Sequence, residues 1–328
     1  MNTILKQKAD DMLEMVMALE KSYKWEHNLA RHFAALLYTQ KGLSKDFHRI
    51  DEAIEAIKSS TGVFSNYRGT IKFLLATLLA LGEGDVASNL EKIKQAEAIL
   101  KESGFKSSTY LPMTSYTLFS GSDAFDYRSV AQRANAIYKE MKKAHPFLTD
   151  GADYPLSVLI AQKQKRIDTI EQIYEALSQR GFTKGNELQL LSHILSLSTL
   201  GTSQLIEKCV EINTTLKANK LKSSMGYYPS IAMIALLEEG SHKLTEEFMD
   251  LTRYLMKLKK FKWLGKGMNM LFASALVADQ WLEEHSDENG TDMEAVLGLT
   301  IESVIVAQTV AMIAAISAAT AASSAASS

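Results

Sequence analysis

Apolar residues along this chain fall at spacings of three and four, stop at a polar turn, and resume. Residues 165–198 show the pattern most plainly. Ile167, Ile170, Ile173, Tyr174 and Leu177 lie on one stripe, predicting an amphipathic helix that ends at Gly181. Asp168 and Glu171 have the spacing of a capping pair at its start. Phe182 is placed to pack back over the turn. The returning arm, Leu188–Leu197, is apolar almost all round, which predicts a helix covered on both sides.

The same layout recurs. Trp25, Phe64, Phe105, Phe147, Phe182, Leu221 and Phe261 each end a helical stripe in a lysine-rich turn, at intervals of 39, 41, 42, 35, 39 and 40 residues. The returning arms stop at Gly42, Gly82, Gly121, Gly201 and Gly240, with Gln162 in the remaining slot. Pro112, Pro155 and Pro229 follow a turn residue by seven or eight positions, where a helix restarts and proline is tolerated. These registers predict an all-α, solenoid-like array of about seven stacked αα-hairpins with a period near 40 residues. The first hairpin, as a terminal unit, is expected to have a face without a neighbour. Ser88 and Glu91 have capping-box spacing before the third hairpin.

The array is assigned to residues 1–284 and a polar linker to 285–292; residues 293–328 form a C-terminal Ala/Ser-rich helix and tail. Hydrophobic residues make up 46% of the 328, ample for a large core, and the four prolines and lack of sustained alternation argue against strands. A net charge of −2 favours neither nucleic acid nor an acidic partner. The single cysteine, Cys209, excludes an internal disulfide framework and lies in a stripe with Leu205, Ile206 and Ile212, as a packed thiol does. The N-terminus lacks a secretory apolar run, so the cytoplasm is the expected compartment.

Motifs for chemistry are sparse. His27 and His32 are five apart, on different faces of a helix, and His193 sits among leucines as a core histidine would. His145, Asp150 and Asp153 form a local histidine–carboxylate cluster, read first as a helix end, a turn and a cap. Residues 287–294, DENGTDME, resemble a calcium loop but carry Asp292 where that loop requires glycine. No phosphate loop, nucleophile elbow or zinc spacing occurs, so neither a cofactor nor a metal is expected.

Cations flank most of the turns. In the last turn Lys257, Lys259, Lys260, Lys262 and Lys266 surround Phe261 and Trp263, the best candidate surface for a ligand. Complementing negative helix ends accounts for many such lysines. Ser303–Ala322 is twenty residues without charge, long enough to span a bilayer, but alanine-rich and interrupted by Gln308. It is read as a helix that caps the array or mediates self-association, with membrane contact as the alternative.

The Tyr-Pro helix starts at Asp153–Ala161 and Tyr227–Ala235, the LLSHILSLS arm, the length and the Ala/Ser-rich end resemble a family from Gram-positive bacteria catalogued as domain of unknown function 4003. The resemblance implies a cytoplasmic bacterial helical protein and carries no catalytic residue to a position of this chain. The functional expectation is a non-enzymatic scaffold for a protein or peptide partner. The alternatives are an enzyme or small-molecule-binding protein with a pocket near His145, Asp150 and Asp153, and a protein recruited to membranes through Ser303–Ala322.

Overall fold

A computed structural model describes residues 1–289 except 70, 122–125, 166, 199, 224–225 and 238–240. Fourteen α-helices and no strand occur among the described residues. In chain order they are α1 (Thr3–Ser22), α2 (Asn28–Gln40), α3 (His48–Ser60), α4 (Ile71–Leu81), α5 (Val86–Glu102), α6 (Leu111–Phe119) and α7 (Tyr127–Ala144). There follow α8 (Tyr154–Gln162), α9 (Ile167–Gln179), α10 (Asn186–Ser196), α11 (Thr202–Ala218), α12 (Tyr227–Ala235), α13 (Ser241–Leu255) and α14 (Lys266–Asn289).

Odd- and even-numbered helices differ in kind. Helix α3 buries Ile50, Ala53, Ile54 and Ile57 and leaves its opposite side in water, the single stripe of a surface helix. Helix α4, IKFLLATLLAL, buries Ile71 and every residue from Phe73 to Ala80. The same contrast separates α7 from α8 and α9 from α10. Each fully buried Leu or Phe contributes about 1.5–3 kcal/mol as an upper figure, so the even helices hold much of the core energy. Consecutive helices pack as hairpins: α3 with α4, α5 with α6, α7 with α8, α9 with α10, α11 with α12, and α13 with α14.

The described residues divide into two compact units. Unit I contains Met1–Met17, Thr39–Gly42 and the described residues from Lys165 on; unit II contains Ala18–Tyr38 and Leu43–Gln164. Within unit II, α3, α5 and α7 neighbour one another in order, as do α4, α6 and α8. Within unit I the corresponding runs are α9, α11, α13 and α10, α12, α14.

The start of the chain departs from expectation. Its terminal amine lies 3.2 Å from Asp250, Asn2 donates to Glu247 at 3.1 Å, and Tyr254 donates to Asp10 at 2.5 Å. Lys8 pairs with Asp279 at 2.5 Å and with Glu283 at 2.8 Å. The opening of α1 therefore has the last described hairpin as its neighbour. A second correction concerns α5, whose cap is Asp85, accepting from the Ser88 N–H at 2.7 Å, rather than Ser88 itself. Asp168 likewise lies inside the first turn of α9, which begins at Ile167. Helix α14 continues through His285 to Asn289, across the first residues assigned to the linker. The rest of that linker, the calcium-loop-like stretch beyond Asn289 and the Ala/Ser-rich tail lie outside the described residues.

Candidate functional site

The turns joining each odd helix to the next even one divide into two kinds. In the first, an apolar residue folds back into the core. The Phe105, Phe182 and Leu221 N–H groups donate to the carbonyls of Leu100, Leu177 and Leu216, closing Schellman-type ends. The residue before each has positive φ: Gly104 (+104°), Gly181 (+88°) and Lys220 (+59°). Phe105, Phe182 and Leu221 are accordingly buried. Phe105 meets the Tyr154 ring edge-on at 4.9 Å, and Phe182 lies 4.9 Å from Tyr228.

In the second kind the aromatic residue points outward. Four turns, each closed by a backbone hydrogen bond from the fourth residue to the first, are the β-turns Tyr23–Glu26, Gly62–Ser65 and His145–Leu148 and the 3₁₀ turn Phe261–Leu264. Their third residues are Trp25, Phe64, Phe147 and Trp263, exposed at 89%, 101%, 98% and 81%. The sequence pattern expected one class of turn residue; of those seven the structure exposes Trp25, Phe64 and Phe147 and buries Phe105, Phe182, Leu221 and Phe261, with the exposed Trp263 two positions beyond the last.

Side chains fasten the outward turns. The Arg31 guanidinium, itself buried, donates to the carbonyls of Tyr23 (3.1 Å), Lys24 (3.2 Å) and Glu26. Arg68 donates to the carbonyls of Lys58 and Thr61. Lys142 Nζ donates to the Pro146 and Thr149 carbonyls at 2.5 and 2.6 Å. In the last turn Asn269 Nδ2 donates to the carbonyls of Phe261 (3.1 Å) and Gly265 (2.7 Å). Each such bond satisfies a turn carbonyl and favours one backbone shape, most strongly where the donor is charged and buried, as Arg31 is. Sequence reading missed these fasteners. Arg31 left one signal, a cation inside the apolar arm Leu29–Tyr38, where an unpaired charge would be prohibitive.

The predicted lysine surface is assembled in part. Lys257, Lys259 and Lys262 are exposed and Lys260 half-exposed. Lys262 Nζ stands 4.9 Å from the Trp263 ring centroid, a cation–π contact that Lys24 and Trp25 repeat at 5.0 Å. Lys266 instead joins two turns: it donates to the carbonyls of Lys220 (3.0 Å) and Lys222 (3.3 Å), tying the turn after α11 to the turn after α13. Arg253 reinforces that join through Asn219 at 3.0 Å. Exposed Lys217, Lys220 and Lys222 thereby adjoin Lys257–Lys262 on one edge of unit I. At the neighbouring turn, by contrast, Arg180 pairs with Glu207, and Lys184 with Glu175 at 2.7 Å.

His145, Asp150 and Asp153 do share one turn. His145 ends α7, and its carbonyl accepts from the Leu148 and Thr149 N–H groups at 3.1 and 3.0 Å. Asp150 accepts from the Ala152 N–H at 2.7 Å, while Asp153 accepts from the Asp150 N–H at 2.9 Å, a reciprocal capping box. Burial pushes the Asp153 carboxyl up to about 7; the Asp150 N–H and Lys142 oppose that shift and the Asp150 charge adds to it. The carboxyl therefore exchanges its proton near neutral pH while serving as a cap. Nearby, burial raises Tyr110, and pushes Tyr138 up to about 12. Tyr138 and Tyr154 meet edge-on at 4.8 Å.

Elsewhere, Cys209 is buried and its thiol is held well above the ordinary range by that burial, which makes it a poor nucleophile. His193 is buried in α10, and His32 Nδ1 lies 2.8 Å from the Asn28 carbonyl. Glu187, unremarked in the sequence, bridges hairpins by accepting from the N–H groups of Gly226 (3.0 Å) and Tyr228 (3.2 Å). Among the described residues no three His, Cys, Asp or Glu side chains gather to hold a metal, and no helix is long and apolar enough to cross a membrane.

No solved structure matches this chain. A relative from Bacillus subtilis strain 168, described as uncharacterized protein YeaA, is 29% identical over 315 residues, covering 94% of this chain and 93% of its own. The family profile described as "Protein of unknown function (DUF4003)" matches residues 17–310. With most of its length matched, the chain belongs to the DUF4003 family.

Proposed function

We propose that this protein is a non-enzymatic helical scaffold that holds an acidic peptide or protein segment against the basic edge of unit I. The observation that carries this reading is the seam made by Lys266. It sets Lys217, Lys220 and Lys222 beside Lys257, Lys259 and Lys262, with the exposed Trp263 ring among them. Cations around a propped aromatic suit a segment bearing carboxylates and an apolar side chain. Such an edge needs neither cofactor nor catalytic group. In the alternative pocket the Asp150 and Asp153 carboxylates accept backbone N–H groups of their own turn.

The test is affinity capture with intact protein beside a variant in which Lys257, Lys259, Lys260 and Lys262 are changed to Gln. A stoichiometric protein partner retained by the first and lost from the second supports the reading. Capture of no partner by either protein, or of the same partner by both, overturns it.

A further inference from the structure

The outward turns of unit II have a property that the scaffold reading leaves unused: they lie in a row. Glu26, in the Trp25 turn, pairs with Lys72 at the start of α4 at 3.1 Å, which joins the first turn to the second. Asn66, just past Phe64, donates to Ser107 in the turn after α5 at 3.1 Å. Tyr110, at the end of that third turn, packs against Gly151 in the fourth, closely enough that a Cβ on Gly151 would stand 2.9 Å from its ring. Trp25, Val63 with Phe64, and Phe147 thus occupy a single edge.

Between them the edge is polar. The third turn tucks Phe105 away and presents Lys106, Ser107 and Thr109. Exposed Lys21 and Lys24 flank Trp25, and exposed Lys143 precedes Phe147. The acidic groups on these turns are Glu20, Glu26, Asp150 and Asp153. Of these, Glu26 is taken by Lys72, and Asp150 and Asp153 accept backbone N–H groups of their own turn. From this geometry we propose that the edge docks the protein on an anionic lipid bilayer, with Trp25, Phe64 and Phe147 entering the headgroup region and the lysines facing lipid phosphates.

Three observations favour a bilayer over a protein surface or a second copy of this chain. The exposed apolar groups are separate points with polar residues between them, not a continuous patch that a partner would cover. A protein would need a pocket for each ring, whereas a lipid interface admits them at any spacing. Exposed Lys21, Lys24, Lys106 and Lys143 outnumber the exposed Asp150 carboxylate on the edge and are complementary to anionic headgroups. Each ring is also held outward before any contact, through Arg31, Arg68 and Lys142, so docking requires no rearrangement of these turns.

The experiment is vesicle flotation of the full chain with phosphatidylcholine alone and with phosphatidylcholine containing phosphatidylglycerol. A variant carrying Trp25→Ser, Phe64→Ser and Phe147→Ser is run beside it. Because all three residues are exposed, its thermal unfolding should match that of the wild type. Wild-type protein is expected to float with the phosphatidylglycerol vesicles and not with phosphatidylcholine alone, and the variant to bind about tenfold or more weakly. Wild-type protein that stays in the soluble fraction, as monomer or tip-to-tip dimer, overturns the proposal. So does a variant that floats as well as the wild type, which would place the contact elsewhere in the chain.

Discussion

Replacing Asp153 with Asn should stabilise this protein, by an amount that grows as pH rises from about 4 to about 7. The Asp153 carboxylate oxygen accepts the Asp150 N–H at 2.9 Å, and asparagine keeps an oxygen for that bond while losing the ability to ionise. Burial moves the carboxyl from an ordinary 3.8 to about 7. A raised folded-state pKa means that the native protein holds this proton more tightly than the unfolded chain does. The associated stability is complete below about pH 4, declines as pH climbs toward 7, and is gone above it. Three units at 1.36 kcal/mol each give an upper bound of about 4 kcal/mol, reduced to the extent that the turn opens to water. The assay is urea unfolding of both proteins, followed by far-UV circular dichroism, from about pH 4 to pH 8. Asp279, pushed up to about 6 mainly by burial, adds a slope of the same sign, but it is common to both proteins and cancels in the difference. The difference, variant minus wild type, should be near zero at pH 4 and level off above pH 7 at about 1–4 kcal/mol. A flat difference curve would refute the assignment of a buried carboxyl to this turn. A variant less stable at pH 8 would show that the cap draws on the negative charge itself.

The division of the turns into two kinds gives a matched pair within unit II. Phe105→Ala should cost about 3–5 kcal/mol, because a ring packed edge-on to Tyr154 leaves a cavity, whereas Phe147→Ala should lie within about 0.5 kcal/mol of wild type; denaturant midpoints at constant slope decide it. Lys220→Gly should raise stability by up to about 1 kcal/mol, since φ of +59° strains a side chain and the carbonyl that Lys266 uses is unaffected; a lowered melting temperature would contradict this.

Much of the fold was legible because hydrophobic spacing and glycine position act locally. The stripe Ile50, Ala53, Ile54 and Ile57 can be buried on one helix face and no other, and IKFLLATLLAL reads as a helix covered nearly all round. What local pattern could not supply was the neighbour of the first helix. The Lys8–Asp279 and Asp10–Tyr254 contacts join residues hundreds of positions apart through side-chain types that recur along the whole chain. The His145, Asp150 and Asp153 cluster was legible as a turn, but the raised carboxyl was not, since it depends on how far folding removes Asp153 from water.

The split among the turn aromatics had a signal, and it lies in the residue before each one. A Schellman end needs a left-handed residue immediately before the apolar residue that folds back. Gly104 and Gly181 meet that need without strain, and Lys220 meets it at some cost. Val63, branched at Cβ, and Pro146, with φ fixed near −65°, cannot adopt that conformation, so Phe64 and Phe147 were barred from the inward path by their own predecessors. Lys24 is under no such bar, and there the decision falls to Arg31, whose guanidinium gathers three carbonyls of the turn and closes it the other way. A left-handed predecessor therefore turns Phe105, Phe182 and Leu221 into the core, while the predecessors of Phe64 and Phe147 and the Arg31 guanidinium at Trp25 leave those three rings on the surface.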